Sequence, residues 1–253
     1  MTLFLTSHFA LEYPEAHWHV DQFNNVYFIK GASATMPCVA AHIDSVQPIE
    51  RKFTVEQLDG TLVAHTRKGK RCGFGADDKA GVMVCLEMLK RFDNIAAVFF
   101  AAEEIGCEGA RFAEAKFFKN VGYLLEFDCP SRNMLSYSSS GERLFENRGE
   151  FISCAKPVLD AWGVTQWQRH PYSDVMVLRQ RFDFSCLNLS CGYYNWHMPN
   201  EYVRITDTEN SIGAAEALIK ALGNKPYVFT KQQLVEDIHL PLAEVTNLAV
   251  TLE

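Results

Sequence analysis

Six short apolar runs recur along the chain, and they are continuous rather than alternating: NVYFIK (25–30), PCVAA (37–41), LVAH (62–65), IAAVFFAA (95–102), VGYLLEF (121–127) and FSCLNLS (184–190). A strand with one wet face is apolar at every second position, whereas an unbroken run needs cover on both faces. Helical patterns lie between the runs. Residues 78–92 place Val82, Cys85, Leu86, Leu89 and Phe92 at helical spacing. Segments 107–118, 145–162 and 173–181 are weaker, and Pro157 is expected to interrupt the second of them. Residues 207–222 form a better helix, with Thr206 and Glu209 in capping-box register. Doubly buried strands alternating with helices predict an α/β fold, a mostly parallel twisted sheet with helices on both faces. No repeat, low-complexity tract or linker divides the sequence, so residues 1–253 read as a single domain. The last twenty residues follow no pattern that places them.

Composition excludes several classes. The longest apolar run, Ile95 to Ala102, is far too short to span a membrane. The first twenty residues hold no Lys or Arg, so they lack the charged region of a signal peptide. The eight cysteines show no C-x-x-C spacing and read as reduced, mostly buried thiols of a cytoplasmic protein. A formal charge of −7 without a basic block argues against nucleic acid or an anionic membrane as partner.

In parallel α/β sheets, ligands bind just beyond the carboxyl ends of the strands. The exits here carry His42 and Asp44, then Asp77 and Asp78 after KRCGFGA, Glu103 and Glu104, Asp128, and finally His197. Any one of these is unremarkable in a loop, and Asp77-Asp78 alone would cap the helix that follows. Five such exits converging on one sheet edge are hard to assign to chance. Two histidines with several carboxylates form a mixed nitrogen and oxygen donor set, which suits zinc or a similar divalent ion better than calcium. Two zinc ions against Asp77, Glu104 and Asp128 leave one positive charge, which a single hydroxide would cancel. Glu103 is then left over beside the metals, where a general base for a metal-activated water would sit. Asp44, two residues after His42, can accept the second imidazole N–H and fix its tautomer.

The segments AAHIDSV, GFGADDKAGV, AAEEIGCEGA, LLEFDCP and NWHMPNEYV resemble, in order, the signature segments of the co-catalytic di-zinc exopeptidases. That superfamily includes bacterial leucyl aminopeptidase, tripeptidase and glutamate carboxypeptidase-like enzymes. The resemblance implies His42 on one zinc, Asp77 bridging both, Glu104 and Asp128 as one-metal carboxylates, and His197 as the remaining ligand. It implies Glu103 as general base, Asp44 as the residue orienting His42, and a cis peptide between Asp77 and Asp78. Cobalt or manganese are the substitutes such a centre would accept. The stretches Asp44–Asp77 and Asp128–His197 are too short for the lid or dimerisation domain of the tripeptidase and carboxypeptidase relatives. A single-domain form is therefore expected, in which an assembly of identical chains would restrict access to the cleft.

The expected activity is hydrolysis of short peptides as an aminopeptidase. An N-acyl amino acid deacylase, an amidase or a carboxypeptidase would use the same centre, and a non-catalytic metal-binding interaction protein is the rival from another class. Asp174, in YSDV, is a candidate contact for the substrate amine or a support for the site, with an exposed helix start capped by Ser173 as the alternative reading. Arg143, Arg148 and Arg169 could clamp a substrate carboxylate but read as surface arginines. His17-Trp18-His19 reads as an amphipathic edge, and Cys186 and Cys191 as core. Cys107 and Cys129 flank proposed site residues, which would make the site sensitive to oxidation.

Overall fold

The computed structural model describes residues 1–46, 52–139, 142–169 and 172–230. The C-terminal segment that resisted placement from sequence lies outside the described residues. In chain order, helix α1 (Thr2–Glu12) precedes strands β1 (His17–Val20), β2 (Val26–Lys30) and β3 (Met36–His42). A hairpin of β4 (Phe53–Leu58) and β5 (Thr61–Thr66), then β6 (Arg71–Cys72), leads into helix α2 (Ala76–Arg91) and strand β7 (Ile95–Phe100). Helix α3 (Glu108–Arg111), a 3-10 turn (Phe117–Asn120), β8 (Val121–Cys129), β9 (Met134–Ser136), and the short pair β10 (Ser138–Ser139) and β11 (Glu142–Arg143) follow. The remainder is α4 (Glu150–Ala161), β12 (Gln166–Gln168), α5 (Asp174–Arg179), β13 (Ser185–Ser190), β14 (Tyr193–Tyr194), β15 (Tyr202–Arg204) and α6 (Ile205–Leu222).

Eight strands form the main sheet in the order β1-β2-β7-β3-β8-β13-β9-β12. Its centre is parallel, with β3 between β7 and β8 and β13 beyond β8. Strands β1 and β2 add antiparallel at one edge, where the His17-Trp18-His19 segment indeed lies, and β13 pairs antiparallel with β9. Every residue of β3, β7, β8 and β13 is buried, as their unbroken apolar runs demand. Helix α2 packs across β3, β7 and β8 and is backed by α6, while α5 packs on β13 and α3. Each fully buried Phe or Leu of this core contributes about 1.5–3 kcal/mol.

Several local expectations are corrected. LVAH is not in the main sheet: β5 pairs antiparallel with β4, β6 and β15 in a second, smaller sheet completed by β14. Pro157 does not interrupt α4, which runs through it. Helix α6 starts at Ile205 with Arg204 at its N-cap and no side-chain cap bond, so Thr206 and Glu209 do not form a capping box. Segment 107–118 divides into the four-residue α3 and the 3-10 turn instead of one helix.

Arg179 is a fully buried guanidinium paired to no carboxylate among its hydrogen bonds. It donates to the carbonyls of Arg143 at 3.2 Å, Phe182 at 2.6 Å, Phe184 at 3.2 Å and Phe229 at 2.7 Å. Four carbonyls disperse the charge in the low-dielectric interior and tie the end of the described chain to α5. All eight cysteines are free, seven of them buried and Cys154 partly so. No helix among the described residues is long and apolar enough to cross a membrane.

Candidate active site

Strand register brings the first group of candidate residues together. Ala40 of β3 lies level with Glu126 of β8, so His42 and Asp128, two residues on in parallel strands, emerge side by side. On the other flank His42 pairs with Phe100, the last residue of β7, and the chain then turns through Ala102 at φ 59° into Glu103 and Glu104. A left-handed alanine costs about 1 kcal/mol, and the turn it permits brings both glutamates back over the strand ends. Asp44 fixes that turn, because its Oδ1 accepts the Glu103 N–H at 3.1 Å and its Oδ2 the Glu104 N–H at 3.2 Å.

Asp77 and His197 arrive from elsewhere. Asp77 follows β6 at the start of α2, where the Asp77–Asp78 peptide is cis and neither residue has helical backbone angles. His197 sits at φ 61° in the loop between β14 and β15. Both are held by the small sheet, so the candidate centre lies between two sheets and not along one edge of one sheet. Glu201 joins the two contributions. Its Oε2 accepts the N–H groups of Phe74 at 2.8 Å and Gly75 at 2.9 Å, and its Oε1 that of Asp77 at 3.3 Å. On the opposite side of this turn Lys79 Nζ donates to the carbonyls of Phe74 at 2.5 Å and Gly75 at 3.0 Å.

The polar side chains of the site meet closely. His42 Nε2 lies 2.9 Å from Asp77 Oδ1 and 3.5 Å from Asp128 Oδ1. His197 Nε2 lies 3.2 Å from Asp77 Oδ2 and 3.0 Å from Glu104 Oε2. Asp77 thus turns one oxygen to each histidine. The arrangement is asymmetric in depth, since the His42 side chain is 1% exposed and that of His197 41%. His42 Nδ1 faces Asp44 Oδ1 at 3.4 Å, an ion-pair separation rather than a short hydrogen bond. Glu103 Oε1 accepts from the Cys107 thiol at 3.5 Å.

Electrostatics follow from crowding acids in a dry place. Burial, with the charge of Asp128 added, pushes Glu103 up to about 8. Burial also raises Asp128 to about 6, although the His42 imidazole opposes the shift. Burial alone would raise Asp77, but hydrogen bonds from His197 and His42 overcome it and hold that carboxyl at about 2. Hydrogen bonding to Asp77 carries His197 up to about 9 against the opposing effect of its partial burial. Such a cluster of acids, several of them reluctant to ionise, favours cations beside it. The donors suit it: His42, Asp78 and Asp128 form one group and Asp77, Glu104 and His197 another, with ligand atoms in each within 4.8 Å of one another. Mixed imidazole and carboxylate donors at this spacing fit divalent metal ions of the zinc type.

Asp78 is buried and caps the helical turns of α2, its Oδ1 accepting the Gly81 N–H at 3.0 Å, while its Oδ2 accepts the His42 N–H at 3.2 Å. The start of α5 is not exposed, and its N-cap Ser173 makes no side-chain cap bond: Asp174 is fully buried, neither of its carboxylate oxygens has a hydrogen-bond partner among the described residues, and burial together with Glu126 and Glu103 raises its carboxyl well above the usual range. Arg143 is buried rather than on the surface, whereas Arg148 is exposed and Arg169 donates to the Tyr137 hydroxyl at 3.4 Å. Cys107 and Cys129 are buried, and desolvation raises both thiols, which opposes the thiolate that oxidation requires.

Four further residues belong to this site although sequence reasoning assigned them no role. Glu201 stands four residues after His197 within the same motif. Glu126 lies two residues before Asp128, hence on the same side of β8, and its Oε2 accepts from the Ser173 hydroxyl at 2.5 Å. A lone acid inside VGYLLEF was the signal for it. Tyr193 donates its hydroxyl to the Asp128 carbonyl at 3.2 Å, and Asn188 Oδ1 accepts the Asp128 N–H at 3.0 Å.

Solved structures share this architecture. A tripeptidase from Staphylococcus aureus subsp. aureus Mu50 superposes with a TM-score of 0.71 at 12% identity, over 87% of this chain and 92% of that one. Aminopeptidase PepT from Bacillus cereus ATCC 10987 gives 0.70 at 13% identity, with 87% and 92% covered. The TET1 peptidase of Pyrococcus horikoshii gives 0.62 at 14% identity, with 86% and 93% covered. At such identities the likeness establishes the fold. No curated protein matches the sequence. The model of peptidase family M28 matches residues 24–222, from the strand before the first candidate ligand to the end of α6. With the motif order, the fold and this match in agreement, the chain belongs to peptidase family M28 and is a peptide hydrolase.

Proposed function

We propose that this protein is a zinc-dependent exopeptidase, an aminopeptidase acting on short peptides through the centre built on Asp77. The observation that carries the reading is Asp77 itself, whose two oxygens lie 2.9 Å from His42 Nε2 and 3.2 Å from His197 Nε2. Two cations would be held by Asp77 together with His42 and Asp128 on one side of it and His197 and Glu104 on the other. Two bound zinc ions would supply Lewis acidity and lower the pKa of a water toward 7, roughly.

The chain's own residues do the rest. Glu103 accepts the proton of the attacking water at its carboxylate, holds it, and delivers it to the departing amine. Asp44 fixes the Glu103 backbone and faces His42, and the Cys107 thiol restrains one Glu103 oxygen. Asp174, buried behind the cleft, is assigned to the support of Glu103, with a substrate contact as the alternative role.

The preference for an aminopeptidase rests on the cleft wall. A cleft of about 280 Å³ opens on Asp77, Glu103, Glu104, Asp128 and His197, and no lysine or arginine among the described residues lines it. A carboxypeptidase or an acyl-amino-acid deacylase needs a cation for the substrate carboxylate. The single-domain form without a lid, a cytoplasmic location suited to reduced thiols, and assembly into a homo-oligomer complete the proposal. The TET1 peptidase of Pyrococcus horikoshii is described as assembling into a tetrahedron or an octahedral shell, which supports the last point. Elemental analysis with a panel of unblocked dipeptides and N-acetyl amino acids tests the reading. About two zinc ions per chain with cleavage confined to unblocked substrates is the expected result. Cleavage of N-acetyl substrates alone would replace the aminopeptidase with a deacylase.

A further inference from the structure

The second sheet ends on a strand that no described residue covers. Among the described residues β4 pairs with β5 alone, so one side of its backbone faces away from the sheet. The other edges of the two large sheets are short: β1 has four residues, β12 three and β14 two, against six in β4. From Thr54 to Leu58 every residue is exposed, and the apolar side chains of Val55 and Leu58 stand at 47% and 48%. Native edges of this length are blunted by proline, lysine or a bulge. The sequence of β4 is FTVEQL, and its register with β5 runs unbroken from Phe53 to Leu58. It has none of those devices, and Glu56 is its one charge. Resting on the homo-oligomeric reading above, we propose that this edge receives a second copy of the chain. Two β4 strands pair antiparallel about a two-fold axis at Val55 and join two five-stranded sheets into one.

The backbone is turned for this pairing. The Thr66 N–H goes to the Lys70 carbonyl at 2.8 Å, on the side of β5 that carries β6 and not β4. Phe53 faces Thr66, so it points its own N–H and C=O outward, and by alternation Val55 and Gln57 do the same. The backbone groups of Thr54, Glu56 and Leu58 point to β5. Two such strands in antiparallel register exchange about six hydrogen bonds, two for each facing pair. Val55 then meets Val55 of the partner subunit, and Phe53 meets Gln57 of the partner subunit twice over.

Side chains select the register. A two-fold that keeps the outward groups opposite one another passes through a residue, and Thr54, Val55 and Glu56 are the central candidates. An axis at Glu56 sets two carboxylates face to face. An axis at Thr54 leaves Leu58 beyond the end of the facing strand. At Val55 the apolar residue meets its own kind, and Thr54 lies opposite Glu56 of the partner subunit. Lys52 reaches that same carboxylate on the diagonal. Glu56 thus lies between His65 of its own chain, at 3.7 Å, and Lys52 of the partner subunit. Because β4 matches itself in shape and charge, the partner it fits is a second copy and not an unrelated strand. The pairing also braces the site: β5 lies between β4 and the strands β6 and β15, which precede Asp77 and follow His197.

The test is sedimentation of the zinc-loaded full chain over about 1–100 μM, the range expected of a small strand-pairing interface. The parent should associate reversibly. Val55→Lys and Val55→Glu each set like charges across the axis and should weaken association about tenfold, while an equimolar mixture of the two should restore it. Val55→Pro removes an outward donor that the hairpin does not use and should also weaken association. In hydrogen exchange, the Val55 and Gln57 amides of the parent should become slower as concentration rises. A parent that associates, with all three variants associating equally well, refutes the β4 interface and leaves the homo-oligomeric reading standing. A parent that stays monomeric throughout the range overturns both. A monomer whose Val55 and Gln57 amides are slow at every concentration carries a segment of its own chain on β4, which overturns the proposal as well.

Discussion

Asp44 Oδ1 accepts the backbone N–H of Glu103 at 3.1 Å, so the carboxylate that faces His42 also sets the position of the proposed base. Asp44→Ala removes the acceptor for two N–H groups and the partner of one imidazole nitrogen together. The expected outcome is a folded protein whose kcat falls about 10–100-fold. Circular dichroism and steady-state kinetics on the same preparation check it, and an unchanged kcat would dismiss the positioning role.

Glu103→Gln keeps the shape and the hydrogen-bonding reach of the side chain but cannot take a proton. Zinc content should stay near that of the parent while kcat drops by about 10²–10⁴-fold. Elemental analysis paired with turnover decides this, and normal turnover would assign the base elsewhere.

Glu201→Ala strips three backbone N–H groups of the Phe74–Asp77 turn of their acceptor. A hydrogen bond to a charged group is worth about 1.5–3 kcal/mol, and the three share one buried carboxylate, so a loss of about 3 kcal/mol in stability is expected. Zinc affinity should fall about 10–100-fold, because Asp77 loses its support. Urea unfolding and competition with a chelator measure the two effects independently.

The metal-free protein should lose stability as pH rises through the neutral range. Glu103 holds its proton more tightly when folded, up to about 8, so between its ordinary pKa and that value ionisation opposes folding. His197 is raised to about 9, and the stability its protonated form contributes below its unfolded pKa is lost as pH climbs to that value. Asp77, held at about 2, acts in the opposite sense and withdraws its contribution only below its ordinary carboxylate pKa. Thermal unfolding in chelator should therefore show Tm falling between pH 5 and 9, roughly. Added zinc should raise Tm most at the alkaline end. A flat profile in chelator would contradict the electrostatic account.

Much of this was readable in the sequence because strand exits in a parallel sheet are set by burial. PCVAA, IAAVFFAA and VGYLLEF had to be central strands, which put His42, Glu103, Glu104 and Asp128 at one end of one layer. The second sheet was not readable, because LVAH is short and its antiparallel partners β4 and β15 carry no long apolar run. Asp77 and His197 were consequently read as exits of the same sheet, although strands of the second sheet flank both. Glu201 was hidden for a different reason. A carboxylate that satisfies backbone N–H groups leaves no trace in periodicity or spacing, since its partners have no side-chain signature. Asp174 was ambiguous because a Ser-Asp pair at a helix start serves equally well as a solvated cap, and only the packing of α5 against β13 and α3 buried it.

Burial of the cysteines gives the protein an internal reporter. Seven of the eight thiols are shielded and only Cys154 is partly open. A maleimide in excess should label Cys154 promptly and reach the others no faster than the surrounding structure opens. Cys107 borders Glu103 and Cys129 adjoins Asp128, so counting labels by mass spectrometry would time the breathing of the active site separately from that of the sheet interior, where Cys38 and Cys186 lie.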